Sequence, residues 1–228
     1  MNLNTYIAIY PPTSKYAWGE VVDPIYDENN LSLCPVCNGL LSGMKWIGEK
    51  KLEIRGRKNI PDFLYAYGIN SPFVISEKAL TVLKENGIKG ITDTEKVDRI
   101  IVKKEIINQT FYIMTLERCI FPIDYTRSKI VFGTEFHPEK KCKLCNPFGR
   151  TKDFILGLYF DRKTDVDMDI FYTYEMGDAV FLSERFVMVC QENNLTGLFY
   201  ENVTEHNTAR GIFSEQEITK MLKESKKI

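Results

Sequence analysis

The chain of 228 residues carries 30 Lys plus Arg and 31 Asp plus Glu, which leaves a formal net charge of only -1 at pH 7. Its 44% hydrophobic and 27% charged residues are ordinary globular values, and they exclude a disordered or collagen-like chain. The balanced charge gives no sign of a broad attraction for nucleic acid or an anionic membrane.

The sequence contains nothing that resembles a membrane segment. No stretch approaches the roughly 18 uninterrupted apolar residues that a membrane helix needs. Residues 1–5 have no basic segment before an apolar core, as an export signal would. We therefore expect a cytoplasmic protein that does not bind membranes. Because thiols stay reduced in such a compartment, the six cysteines are expected as metal ligands or core residues.

In chain order, aromatic and apolar runs predict strands in the first half of the chain at residues 6–10, 51–54 and 62–67. A short apolar run then ends at Ser76, a preferred helix N-cap, and Glu77 suits the positive end of the helix that follows. Asn86 and Gly87 predict its left-handed end.

The second half repeats this order. Strands are predicted at residues 111–114, 154–160 and 169–174, and Ser183 is expected to cap a second helix. Asn193 and Asn194 predict the end of that helix. Ser214 and Glu217 form a capping box that opens a last helix.

Four cysteines form two Cys-x-x-Cys pairs, Cys34 with Cys37 and Cys142 with Cys145. One pair supplies two thiolates, whereas tetrahedral zinc needs four ligands, so the simplest prediction is one closed, structural zinc site shared by both pairs. Iron in a rubredoxin-like site uses the same ligands. Two unrelated pairs of reduced thiols, or a thioredoxin-like redox motif, are the other interpretations.

The remaining candidates near these pairs have simpler explanations. Asn38 and Asn146 each follow a pair, where a turn favours a residue that tolerates a positive φ. Cys119 and Cys190 lie in apolar surroundings and are expected in the core, where a free thiol behaves as a small hydrophobic group. His137 could replace a thiolate as a ligand, but four cysteines make this unnecessary.

The sequence also matches itself at an offset of 107 residues. Residues 62–67 correspond to 169–174, residues 73–78 correspond to 180–185, and Gly90 corresponds to Gly197. We therefore predict an α+β fold from an internal duplication. Two similar strand-rich halves, residues 1–108 and 109–228, are expected to meet at the shared zinc site.

Several motifs together resemble the bacterial double-CXXCG motif family, first described as myxobacterial paralogues. The motifs are the Cys-Pro-x-Cys pair, Trp46 after it, Pro61-Asp62-Phe63, Ser76-Glu77, the second cysteine pair and Ser183-Glu184-Arg185-Phe186. In this chain Asn follows each pair, where the family has Gly.

This resemblance implies an immunity protein, which protects a cell from a toxin delivered by its own kind. Function would then lie in binding and occluding a cognate toxin domain, with zinc holding the fold and no catalytic residue. Because toxin nucleases are often basic, an acidic segment is a candidate for partner binding. Its residues are Asp165, Asp167, Asp169, Glu175 and Asp178.

On a strand, Asp165, Asp167 and Asp169 would face solvent together. A solvated strand face of no special function explains the same pattern. A calcium loop fits less well, because Ile170 stands where such a loop needs Gly and Met176 stands where it needs Glu.

Two other functions remain open. An enzyme is disfavoured, because the chain has two histidines and no nucleophile, nucleotide or dinucleotide motif. A zinc-ribbon nucleic-acid binder is the main alternative, since Lys50, Lys51 and Arg55 could contact phosphates around Trp46. Glu49 and Glu53 interrupt that basic segment, however, as on an ordinary solvated face.

Overall fold

Strands dominate the computed structural model, which describes residues 4–9, 16–56, 59–69, 73–161, 167–210 and 212–225. The helices of the described part are α1 (Glu77–Glu85), α2 (Glu184–Glu192), α3 (Glu215–Ser225) and a short 3-10 helix (Pro138–Lys140). Its strands are β1 (Thr5–Ala8), β2 (Trp18–Val21), β3 (Ile25–Leu33), β4 (Leu40–Ile47), β5 (Lys51–Arg55), β6 (Phe63–Tyr67), β7 (Phe73–Ser76), β8 (Ile91–Lys96), β9 (Arg99–Val102), β10 (Glu105–Ile107), β11 (Phe111–Leu116), β12 (Arg118–Cys119), β13 (Ile130–Phe132), β14 (Lys152–Ile155), β15 (Ile170–Thr173), β16 (Val180–Ser183) and β17 (Tyr200–Asn202). Among the described helices, none is long and apolar enough to cross a membrane.

Two sheets share one strand order. The five-stranded sheet has the order β12-β15-β16-β1-β17, and the eight-stranded sheet ends in β2-β6-β7-β11-β8. The relative strand directions also agree, because the first pair of each series is parallel and the other three pairs are antiparallel. In the eight-stranded sheet, β5, β9 and β10 extend this common series.

The two halves of the chain exchange strands. β1 pairs with β16 of the second half, with Thr5 opposite Ser183. In the corresponding place, β11 pairs with β7 of the first half, with Phe111 opposite Ser76. Each sheet therefore contains a strand from the other side of the predicted boundary after residue 108.

Each half contains a hairpin followed directly by a helix, and these two units have the same construction. We call β6, β7 and α1 the first hairpin-helix unit, and β15, β16 and α2 the second. Ser76 accepts a hydrogen bond from the backbone N–H of Ala79, and Ser183 accepts one from Phe186, so both predicted N-caps are confirmed. The predicted left-handed ends are confirmed by the φ of 59° at Gly87 and 49° at Asn194.

Asp62 ties the first unit to the second. One carboxylate oxygen accepts from the Ser76 hydroxyl at 2.7 Å. The other accepts from the backbone N–H and the hydroxyl of Thr196, both at 2.9 Å, in the turn after α2. Burial favours a higher pKa for Asp62, but these hydrogen bonds outweigh it and lower the pKa.

Asp169 makes the reciprocal connection. Its carboxylate accepts from the Ser183 hydroxyl at 2.8 Å and from the backbone N–H of Lys89, in the turn after α1, at 3.0 Å. Arg185 adds an ion pair at 2.6 Å. Each aspartate thus joins the serine of its own unit to the turn after the helix of the other unit.

The main core lies between the two units. Phe63, Phe73 and Leu83 of the first unit are buried in one cluster with Leu182 and Phe186 of the second. Cys190 is buried in the same cluster, as predicted, and burial raises its pKa to about 12. Separate apolar clusters cover the opposite face of each sheet.

One element prediction needs correction, and another is confirmed. The strand expected at residues 154–160 is confirmed only to Ile155, because Leu156 and Leu158 then bond to Lys129 and Val203 outside a regular ladder. The last helix begins as predicted, with the Ser214 hydroxyl bonded to the Glu217 carboxylate at 2.7 Å.

Gly90 and Gly197 stand where the turn after each helix meets the other unit. A Cβ on Gly90, which has a φ of 107°, would lie 1.8 Å from the carbonyl oxygen of Ile170. We expect Gly90→Ala to lower the free energy of unfolding by roughly 4 kcal/mol or more, because backbone of the other unit blocks the space. Urea unfolding measures this loss.

Gly87→Ala is the matched control, since Gly87 also has a positive φ but the nearest atom to its Cβ would be 3.8 Å away. It should cost only about 1 kcal/mol of strain. Equal losses in the two variants would contradict the close approach at Gly90.

The lowered pKa of Asp62 makes stability depend on pH. Its carboxylate contributes stability above the unfolded pKa of about 3.9, and this contribution is lost as the pH falls through the lower folded value. Asp62→Asn should therefore lower the free energy of unfolding by about 1–3 kcal/mol at pH 7. Near pH 3 the variant and the unmodified chain should differ less. Urea unfolding at both pH values tests this.

The control for this measurement is Asp167→Asn, because the Asp167 side chain is 84% exposed and its ion pair with Lys89 lies at the surface. Exposed ion pairs contribute about 0–1 kcal/mol. A loss at Asp62 that did not change with pH would argue against a role for its charge.

Candidate metal centre

Two hairpins outside the large sheets carry the cysteine pairs. β3 and β4 form a two-stranded sheet, and the turn between them contains Cys34 and Cys37. β13 and β14 form another, and the long loop between them contains Cys142 and Cys145. The four thiols thus meet where two separate hairpins converge.

The four sulfur atoms lie within 4.8 Å of one another. Cys34 Sγ is 3.8 Å from Cys142 Sγ, and Cys37 Sγ is 3.5 Å from Cys145 Sγ. These separations are much longer than a disulfide bond of about 2.05 Å. They match the edge of a tetrahedron of thiolates around zinc, about 3.8 Å for Zn–S bonds of about 2.3 Å. The predicted convergence of all four cysteines is confirmed.

The first pair lies in a turn that follows the sequence prediction. Asn38 has a φ of 56° and donates its backbone N–H to the carbonyl of Cys34 at 2.9 Å. The backbone N–H of Gly39 points to Cys37 Sγ at 3.4 Å. This N–H group lowers the pKa of Cys37, but burial and the thiols of Cys142 and Cys34 outweigh it and raise the pKa.

The second pair closes differently, and the prediction for Asn146 is wrong. Asn146 is not among the described residues with a positive φ. Instead, Cys142 and Asn146 exchange two backbone hydrogen bonds, at 2.9 and 3.0 Å. The second turn therefore closes at Asn146 without a left-handed residue. In the first turn, the backbone N–H of Cys34 instead bonds to the carbonyl of Gly39, one position further along the chain.

The four thiols are unequally protected from water. Cys34 and Cys142 are buried, Cys145 is half-buried and Cys37 is exposed. Burial opposes ionisation of Cys142, but the backbone N–H groups of Cys145 and Leu144 and the neighbouring thiols lower its pKa to about 6. Burial and the thiols of Cys37, Cys142 and Cys34 raise the pKa of Cys145.

An apolar layer surrounds the buried pair. Leu41 packs with Cys34 and Cys142, and Leu144 and Tyr174 complete the cluster. Because this layer combines residues of both hairpins with the end of β15, it holds the two cysteine pairs against the five-stranded sheet.

Lys152 is a neighbour that the sequence did not indicate. It donates to the backbone carbonyl of Glu175 at 3.0 Å. Burial lowers its pKa, while the charges of Glu175 and Cys145 act in the opposite direction. A lysine within a strand carries no local sign of such a position, because only the fold brings β14 beside the second pair.

The other candidate ligands lie elsewhere. His137 contacts Glu135 and Glu139, its neighbours in sequence, and is not part of the thiol group. Cys119 is half-buried against the apolar cluster of the five-stranded sheet, and burial raises its pKa to about 11. Neither contributes to the metal centre.

The acidic segment does not form the predicted stripe. Asp165 lies outside the described residues. Asp167 is exposed, but the expectation that Asp169 faces solvent is wrong, because Asp169 is only 6% exposed and connects the two hairpin-helix units. β15 begins at Ile170, after these residues, so the alternation expected of a strand does not apply to them.

The two later acidic residues have different surroundings. Glu175 accepts from the Tyr125 hydroxyl and from the backbone N–H of Ile123, so it has a structural role. Asp178 as a whole is exposed, but its carboxylate is partly buried, and this burial raises its pKa against the opposing charge of Arg118. Asp167 and Asp178 are therefore the accessible carboxylates of this segment within the described residues.

Comparison with known protein families gives one match. Residues 49–205 match the family model described as Immunity protein family (Imm11). The matched segment covers more than two thirds of the chain and includes the second cysteine pair but not the first. No curated protein matches the chain.

We expect one zinc ion per chain, since the four thiols form one group and tetrahedral zinc takes four ligands. Elemental analysis of the purified protein measures this ratio. Zinc should add about 4 kcal/mol to the free energy of unfolding when its free concentration is a thousand times Kd. Cys34→Ser should lower both values, whereas Cys119→Ser, outside the group, should change neither the metal content nor the zinc-dependent stability.

Binding should also weaken in acid, because protons compete with the metal for the thiolates. Cobalt provides a second measurement, since a four-thiolate site gives a tetrahedral spectrum with sulfur-to-metal bands. Two metal ions per chain, or none, would contradict the shared site.

Proposed function

Because the chain belongs to the Imm11 immunity protein family, we propose that it binds a cognate bacterial toxin domain and neutralises it by occlusion. The family match over residues 49–205 is the observation that carries this proposal. Binding without turnover means that one chain protects against one toxin domain.

The metal centre has a structural role in this proposal. Four thiolates saturate tetrahedral zinc and leave no position for water or substrate. Cys34, Cys37, Cys142 and Cys145 would hold the ion between two hairpins that pair with no other described strand. Since an isolated two-stranded hairpin is marginally stable, the ion would fix both hairpins in place.

A common origin of the two halves is part of the proposal. The matching strand orders, the two serine caps and the reciprocal aspartates support duplication of an ancestral unit. The strand exchange between β1 and β11 further suggests that the ancestor was a pair of chains that already shared strands.

The accessible acidic residues are the proposed contact with the toxin. Asp167 is 84% exposed, although a toxin cation would have to compete with its surface ion pair to Lys89, and Asp178 also reaches solvent. A basic toxin surface would be attracted to them, which raises the association rate more than the affinity. Asp165, two residues before Asp167, belongs to the same proposal, whereas Asp169 and Glu175 are already bonded within the fold.

The four described cations of the basic segment around Trp46 support a protein partner over nucleic acid. Lys45 and Lys50 pair with Glu95, and Lys51 pairs with Glu49. Arg55 pairs with Glu20. Because each cation already has a carboxylate, phosphate contacts would first have to break these pairs.

The direct test needs a candidate toxin domain, which we would seek at the C-terminus of a large secreted protein encoded by a neighbouring gene. Cells that express this domain should survive only when the chain is also expressed, and the two proteins should co-purify in a 1:1 complex. Survival without a complex would contradict occlusion, and failure to protect would contradict the proposal.

Charge reversal tests the contact surface. Asp167→Lys should weaken toxin binding about tenfold at low salt and reduce its salt dependence, because it removes an attractive charge and adds a repulsive one. Titration calorimetry at two salt concentrations measures both effects. Glu105→Lys, an exposed charge change on the far edge strand β10, is the control. Unchanged affinity in the Asp167 variant would remove this surface from the interface.

A further inference from the structure

A second site lies apart from the metal centre. A cavity of about 360 Å³ separates the β3–β4 hairpin from β8 and β11 of the eight-stranded sheet. Arg118 and Tyr172, from the five-stranded sheet, complete its wall. This volume is within the range of small-molecule sites, which often occur where separate elements of a fold meet.

Arg118 has hydrogen-bonding capacity that the protein does not use. Its Nη1 donates to the carbonyls of Thr173 and Gly177, at 2.6 and 2.7 Å, and its guanidinium carbon lies 4.9 Å from the centre of the Tyr172 ring. Within the described residues, no carboxylate forms an ion pair with Arg118, and Nε and Nη2 have no acceptor. Burial lowers its pKa, but an arginine stays charged at neutral pH.

The other charges of the cavity wall leave an excess of one positive charge. Glu95 lies between Lys45 and Lys50, at 3.0 and 2.9 Å. Of the lining residues, three are cationic (Lys45, Lys50 and Arg118) and two are anionic (Asp93 and Glu95). Asp178, outside the lining residues, adds a negative charge that acts on Arg118, so the site has no large positive excess and fits a singly charged carboxylate better than a doubly charged phosphate.

An unsatisfied buried donor lies beside the cavity, which also has an apolar side. Trp46 is only 4% exposed, and its indole N–H has no acceptor among the described residues. A buried donor without an acceptor costs about 1–3 kcal/mol. Leu31, Ile69 and Met114 also line the cavity, so a ligand needs an apolar part.

We propose that this cavity binds one carboxylate carried on a small apolar group, with Arg118 as the residue that binds the charge. The guanidinium supplies two free donors in the geometry that a carboxylate accepts. The proposal does not depend on the immunity function. The carboxylate could belong to a free organic acid or to a side chain of a partner protein.

The probe for a free acid is phenylacetate, and phenylacetamide is its neutral counterpart of nearly equal shape. Fluorescence of Trp46 reports binding in a Trp18→Phe background, because the chain has two tryptophans. We expect saturable binding of phenylacetate with a Kd on the order of 1 mM, at constant ionic strength, and at least tenfold weaker binding of phenylacetamide.

Arg118→Met should weaken phenylacetate binding about tenfold or more, and Arg118→Lys should recover only part of the affinity, since it keeps the charge but loses the planar pair of donors. Arg127→Met is the matched control, because Arg127 also stacks on a tyrosine, Tyr159, at 4.4 Å, outside the cavity. Circular dichroism checks that each variant is folded. Unchanged affinity in a folded Arg118→Met variant would overturn the assignment.

Capped Leu-Glu-Leu and Leu-Gln-Leu tripeptides test whether the carboxylate belongs to a side chain of a partner protein. Binding of phenylacetate alone would indicate a free acid, and binding of the glutamate peptide but not the glutamine peptide would indicate a protein side chain. If neither phenylacetate nor the glutamate peptide binds, the proposal is wrong.

Discussion

Strand exchange between the two halves is the constraint on which the rest of the fold depends. β1 completes the sheet of the second half, and β11 completes that of the first. Neither half can therefore bury its sheet edge without the other. Asp62 and Asp169 reinforce the exchange, because each is bonded to the turn after the opposite helix. This arrangement makes the folding of the two halves interdependent.

One short segment connects the separate sites of the molecule. It begins at Asp169, which joins the two hairpin-helix units, and continues through Tyr172, on the wall of the cavity. Tyr174 then packs beside the buried cysteines, and Glu175 bonds to Tyr125. A displacement of β15 would therefore affect the metal centre and the cavity together.

The sequence predicted the features that depend on residues close together along the chain. Ser76 and Ser183 identify their helices, and the two cysteine pairs identify four ligands that the fold brings together. It could not predict the burial of Asp169, because the groups that bind it come from a distant turn and from the following helix. The strand exchange was equally hidden, since neither the length nor the composition of β1 says which hairpin it joins.

The β3–β4 hairpin links the metal centre to the cavity. At its turn it carries Cys34 and Cys37, and near its other end Lys45 pairs with Glu95 of β8. The cavity lies under this hairpin, so a displacement of the hairpin would change both the cavity wall and the positions of Cys34 and Cys37. Such coupling is reciprocal by thermodynamic necessity, and it requires only that both sites prefer the same hairpin position. The first cysteine pair would then stabilise the fold and also keep a binding cavity in shape.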